Sequence, residues 1–242
     1  MLLLSTPFIH KKKNTTMRSM GFLLLVIGFL TACNNPSTTT NEVEPYQFSK
    51  INCYVRYMAI NRQLQAEMTF QMDSTTAIEG GVLCNEETMI FKNLPSVGSQ
   101  YRLIKNGVDL ESKYSFSYEE RDGTPTKLDL TMGKFENLKI ASDGVSIKVG
   151  GILEWEGDVL DREDGFVLIF TDSKGSTFSI NHTGLSRGTK FEILPAHSSR
   201  LAEGPATLQV ARKKTIRTEE NGTVKLMTME YYLKPISFEV KA

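Results

Sequence analysis

The chain has 242 residues, 28 Lys and Arg against 28 Asp and Glu, and 40% apolar side chains, the composition of an ordinary folded protein. Four of the basic residues, Lys11, Lys12, Lys13 and Arg18, lie in the first 33 positions, so the rest of the chain holds 24 basic against 28 acidic residues, a net charge of −4. That balance excludes a nucleic-acid binder of the usual kind, whose footprint is a net basic surface, and the 209 residues after position 33 suit one large β domain or two of about 100 residues.

The first element is GFLLLVIGFL, Gly21 to Leu30. It has about half the roughly 20 apolar residues that a membrane-spanning helix needs. Basic residues precede it, no acidic residue occurs before Cys33, and small residues follow it, which is the three-part layout of an export signal. Leu30-Thr31-Ala32-Cys33 resembles the cleavage site of bacterial lipoproteins. The resemblance implies removal of residues 1–32 as a signal peptide, lipid attachment at Cys33 and the membrane as a partner through that anchor. Asn34 stands where an Asp would retain the product at the inner membrane, which favours the outer membrane of a Gram-negative envelope. Met17 and Met20 offer starts downstream of Met1. Residues 33–45 read as the lipidated cysteine and a tether, because NNPSTTTNEVEP has one aliphatic side chain and cannot offset the entropy of ordering. Twelve such residues, at ~3.3–3.6 Å each, reach at most about 40 Å.

From Tyr46 the periodicity is two. Ile51, Cys53, Val55, Tyr57 and Ala59 alternate with Asn52, Tyr54, Arg56 and Met58, and the same alternation recurs at 177–180, 206–210 and 236–241. FVLIF, Phe166 to Phe170, is continuously apolar, as a central strand is. Gly follows Asp, Asn or Lys in RDGT (121–124), DSKG (172–175) and ENGT (220–223), each supplying the positive φ of a tight hairpin. The fold class is all-β, with antiparallel hairpins.

Phe91-Lys92-Asn93-Leu94-Pro95 and Phe191-Glu192-Ile193-Leu194-Pro195 match at an offset of 100, as does Phe70 with Phe170, and Glu119–Leu128 lines up with the two-residue-shorter Glu219–Leu226, which starts at the same offset. These matches suggest a duplicated unit, with domain 1 at 46–140 and domain 2 at 141–242. Units of about 100 residues with about seven short strands suit a β-sandwich. Gly98-Ser99-Gln100-Tyr101-Arg102-Leu103 resembles the tyrosine corner of immunoglobulin-like domains, which implies two tandem antiparallel sandwiches of that type. Ala206 stands at the matching place of the second unit. Trp155 is assigned to the second core.

Cys53 and Cys84 are the cysteines beyond the leader, in an exported and disulfide-permissive chain. A bridge would close a loop of about 30 residues and add roughly 3–4 kcal/mol; the alternative is two buried thiols acting as small apolar groups. His182 and His197 lie in the other unit, so no metal site is expected, and no cofactor. Gly184-Leu185-Ser186-Arg187-Gly188 matches GxSxG, but that nucleophile motif requires a strand-to-helix elbow and here falls in a polar loop, so no catalytic residue is assigned. Glu154, Glu156, Asp158, Asp161, Glu163 and Asp164 fit no EF-hand spacing and read as a solvated loop.

Two surface features carry a ligand or modification hypothesis. Arg212, Lys214 and Arg217 on one arm of the last long hairpin, with Tyr231 and Tyr232 on the return arm, form a candidate patch for an anionic or sugar ligand. Asp73-Ser74-Thr75 resembles a short motif O-glycosylated in some Gram-negative periplasms, with Ser74 as acceptor. The expected role is a lipid-anchored envelope protein with binding or structural function, a glycan or protein partner, and no chemistry of its own. Alternative classes are an envelope hydrolase with an unfamiliar site and a pilus or adhesin-type subunit.

Overall fold

The computed structural model describes residues 46–71, 77–94, 98–141 and 144–242. Cys33, the tether and Ser74 lie outside the described residues.

The strands in chain order are β1 (Lys50–Met58), β2 (Gln63–Gln71), β3 (Val82–Cys84), β4 (Glu87–Thr88), β5 (Ile90–Leu94), β6 (Gly98–Asn106), β7 (Lys113–Glu119), β8 (Pro125–Thr131) and β9 (Phe135–Ile140). They continue as β10 (Val145–Ser146), β11 (Gly151–Gly157), β12 (Asp164–Thr171), β13 (Thr177–Thr183), β14 (Lys190–Ile193), β15 (Gly204–Glu220), β16 (Thr223–Tyr232) and β17 (Ile236–Lys241). One four-residue helix, α1 (Pro195–Ser198), follows β14.

The alternation predicted for β1 is the alternation found: Ile51, Cys53, Val55 and Tyr57 are buried and their neighbours half-exposed. In β12, Phe166, Leu168 and Phe170 are buried while the strand is flanked by β13 and β15, so FVLIF is a central strand. The turn joining β15 and β16 has Asn221 and Gly222 at φ 50° and 78°, the paired positive φ values of a two-residue hairpin turn.

Two apolar cores form. In the first, the face of β16, β1, β2 and β6 packs on a four-stranded sheet ordered β4-β3-β7-β8. In the second, β12, β13, β15 and β17 pack on the three-stranded sheet β14-β11-β9. The described chain is thus of the all-β sandwich class, with one short helix. A single ten-stranded sheet runs through both cores, and the described chain from Tyr46 to Ala242 belongs to one compact unit.

Continuity comes from β15, whose 17 residues span about 55 Å at the usual rise. Its first part pairs with β12 and β17, and its second part, Ala211–Glu220, pairs with β16. β16 then lies parallel to β1 in a nine-residue register from Lys50↔Val224 to Met58↔Tyr232. Met227 and Met229 of β16 are therefore buried in the first core, beside residues more than 100 positions earlier. Core membership changes between Met132, in the first core, and Phe135, in the second, so β9 packs with the second core, and the last hairpin crosses that division.

At that boundary Arg212 and Asp164 form a buried ion pair, with Nη2 2.7 Å from Oδ2 and side chains 1% and 2% exposed. Arg212 Nη1 also donates to the carbonyls of Gly133 (3.0 Å) and Lys134 (3.1 Å), the linker between β8 and β9. The guanidinium sits over Phe135 at 5.3 Å. Gly133 is required here by close approach, since a Cβ would come within 2.2 Å of Asp158 Oδ2. One arginine thus ties the linker, β12 and β15 together.

Tyr101 is buried on β6, and its hydroxyl accepts the Ile78 N–H at 2.6 Å. The residue is structural, as expected, though it pins the segment leading into β3 rather than the loop directly before its own strand. Trp155 is also buried, donating from Nε1 to the Asp158 carbonyl at 3.0 Å and packing on Phe135.

Cys53 and Cys84 are free thiols, both buried in the first core. Burial, followed by the charges of Glu111 and Glu87, pushes Cys84 up to about 12, and burial followed by Cys84 raises Cys53. Thiolate is the reactive form. In a chain beginning after Cys33, a thiol reagent at pH 8 is expected to leave the native protein unlabelled and to label two cysteines after unfolding in denaturant. Unfolded protein that takes up no label would instead carry a Cys53–Cys84 bridge.

Candidate binding face

The predicted ligand patch does not assemble. Cross-strand pairing sets Arg212 opposite Tyr231 and Arg217 opposite Leu226; because side chains alternate along a strand, Arg212, Lys214 and Tyr231 share one face while Arg217 and Tyr232 share the other. Arg212 is fully buried in its ion pair, and Tyr231 packs between the two cores against Tyr57. Lys214 is held by Asp161 at 2.8 Å, and Arg217 pairs with Glu219. Of the five, Tyr232 alone takes part in the polar cluster described next.

That cluster lies on the outer face of the large sheet, where β1 meets β16. The parallel register puts Tyr54 beside Thr228, Arg56 beside Glu230 and Met58 beside Tyr232, and the β15–β16 register adds Lys213 opposite Glu230. Glu230 is the hub. Its Oε2 accepts from the Tyr54 hydroxyl at 2.7 Å and the Tyr232 hydroxyl at 3.2 Å, and lies 3.5 Å from Arg56 Nη2; its Oε1 lies 3.5 Å from Lys213 Nζ. The Arg56 guanidinium stands over both rings, 5.3 Å from Tyr54 and 5.5 Å from Tyr232.

Burial opposes ionisation of Glu230, but the Tyr54 hydrogen bond and the Lys213 and Arg56 charges outweigh it, so its carboxyl titrates below the ordinary glutamate range. Burial and then Glu230 raise the Tyr54 phenol. The carboxylate therefore stays ionised and the phenol stays protonated near neutral pH, which suits recognition rather than proton transfer.

The face continues over the next two strands. Glu67 on β2 accepts from Gln65 Nε2 at 2.7 Å and pairs with Arg102 of β6 at 3.2 Å, with Gln100 at 3.4 Å. Phenols, guanidinium groups, carboxylates and amides thus line one sheet surface, a set that stacks on and hydrogen-bonds to hydroxyl-bearing ligands.

The other motifs have structural uses. The Ser186 hydroxyl accepts the Leu160 N–H at 2.9 Å and donates to the Gly188 carbonyl at 2.7 Å, stapling two loops. Of the acidic group, Glu154 pairs with Lys139 and Lys190, Asp161 with Lys214 and Asp164 with Arg212. No cluster of metal-ligating side chains occurs among the described residues.

No protein-family model matches the chain, and neither does any curated protein sequence. Among solved structures, a tetra-tandem repeat from the extending region of a large adhesion protein matches at 11% identity and a TM-score of 0.28, over 78% of this chain and 49% of that one. A bacterial ice-binding adhesin matches at 12% identity and a TM-score of 0.23, over 82% of this chain and 66% of that one. The two-domain immunoglobulin structure of DIP-gamma matches at 7% identity and a TM-score of 0.23, over 79% of this chain and 98% of that one. The chain thus spans about half the length of the first.

Proposed function

We propose that this chain is a lipid-anchored protein of a Gram-negative outer membrane that binds a glycan through the sheet face centred on Glu230, without catalysis. The observation that carries the reading is the convergence of Tyr54, Arg56, Lys213 and Tyr232 on one carboxylate. Such a fixed, half-buried set presents ring edges and charged hydrogen-bonding groups with little conformational entropy left to lose on binding. The LTAC site supports anchoring at Cys33, and the short polar segment after it supports a folded part standing clear of the bilayer. Ser74 is retained as a proposed O-glycan acceptor.

A glycan array probed with the chain from residue 34 onward tests the ligand. Tyr54→Ala and Tyr232→Ala are each expected to weaken binding to any glycan hit by about ten-fold or more, with melting temperature little changed. Unchanged affinity in both variants would show that the ligand sits elsewhere. Intact-mass measurement of the protein from membranes tests the anchor, the expected product being a chain that starts at Cys33 and carries acyl groups.

A further inference from the structure

The second sandwich has an open side. β14 is the outer strand of its three-stranded sheet, and β13 pairs with β12 alone among the described strands. The Trp155 backbone N–H donates to the Thr189 carbonyl at 3.1 Å, and the register continues Leu153↔Phe191 and Gly151↔Ile193. By the alternation of an antiparallel ladder, Thr189, Phe191 and Ile193 turn their backbone groups toward β11. Those of Lys190 and Glu192 therefore point out from the free edge.

Beside that edge lies a cavity of about 650 Å³, lined by Val149, Ile152, His182, Leu185, Arg187 and Phe191 among others. Its size is that of a ligand site. Val149, Leu185 and Ile152 are 77%, 64% and 41% exposed, unusual for apolar side chains gathered around one opening. Gly150 fixes part of this rim: at φ +89° its missing Cβ would stand 2.0 Å from the Ile193 carbonyl, so the turn carrying Val149 abuts the end of β14. Deeper in, the His182 ring packs at a tilt against Phe166 and Phe191, and its Nε2 is buried without a hydrogen-bond partner among the described residues. Arg187 at the mouth has no carboxylate partner among the described residues.

We propose that the β14 edge and this cavity dock an extended peptide segment of a partner protein. The segment adds as a strand to β14, hydrogen-bonding to the backbone of Lys190 and Glu192. Its alternate apolar side chains seat against Leu185, Ile152 and Val149, and an acidic side chain meets Arg187. Main-chain bonds supply affinity and the side-chain pockets supply selection, as in other strand additions. A second copy fits less well, because β14 itself would bring Lys190 and Glu192, not apolar groups, to the apolar rim.

The test uses the chain from residue 34 onward and a fluorescein-labelled nine-residue peptide of alternating valine and threonine ending in aspartate at both termini, followed by anisotropy. Saturable binding is expected. At least ten-fold weaker binding is expected for Leu185→Lys, for Arg187→Glu and for the same peptide with proline at alternate positions. Leu185 and Arg187 are surface side chains, and an unchanged melting temperature will separate lost docking from lost fold. The proposal is overturned by equal affinity for the two peptides, by variants that bind as the parent does, or by no saturable binding up to millimolar peptide. A concentration-dependent dimer of the unliganded chain that Leu185→Lys abolishes would overturn it too, by assigning the edge to a second copy.

Discussion

Arg212→Leu is expected to destabilise the protein by about 3–5 kcal/mol, because it leaves the Asp164 carboxylate buried without its counter-charge and frees two linker carbonyls. Urea or guanidinium denaturation measures this directly. Asp164→Leu alone strands the guanidinium and is expected to cost a similar amount. The double replacement is expected to be milder than the sum of the two, since a buried pair exchanged for apolar groups of similar volume is often close to neutral. Strict additivity of the two single changes would show that the pair is not coupled, and that Arg212 acts through its carbonyl bonds and its contact with Phe135 alone.

The second large effect concerns the last hairpin. A chain ending at Ala141 retains every strand of domain 1 as the sequence divides it, yet is expected not to fold as a monomer. It lacks β16, so the edge of β1 is left without its nine-residue partner and the first core loses Met227 and Met229. Circular dichroism and amide dispersion in an NMR spectrum will report this, and adding residues 204–242 as a separate chain is expected to restore structure. A cooperative melt of 46–141 alone would show instead that each half folds without the other. In the intact chain Met229→Ala, at a side chain with no exposure, is expected to cost about 2–5 kcal/mol.

Local features of this fold are legible in the sequence because period-two burial and turn chemistry act over a few residues. β1, β12 and the Asn221-Gly222 turn are found where the alternation and the glycines place them. The pairing of β1 with β16 leaves no local trace: it joins strands more than 160 residues apart, through a hairpin whose other strand, β15, also pairs with β12 and β17. The candidate binding face is invisible for the same reason, since Tyr54 and Arg56 meet Glu230 only through that pairing. Arg212 misleads because an arginine beside two lysines reads as part of an exposed ligand patch, whereas alternation turns it inward, onto Asp164. The matches at an offset of 100 align β5 with β14, of which β5 belongs to the large sheet and β14 to the three-stranded one.

The position of β1 has a mechanical meaning. The described chain begins at Tyr46, four residues before β1, and Thr223 Oγ1 fastens the Phe48 carbonyl at 2.7 Å beside the start of β16. β1 is gripped on both sides, by β2 and by β16, over its full length. If the protein is held from its N-terminal end while a ligand drags on the β16 side, the load runs along the strands and shears both ladders at once rather than peeling them bond by bond. A chain loaded in this way would thus carry tension through β1 into β16.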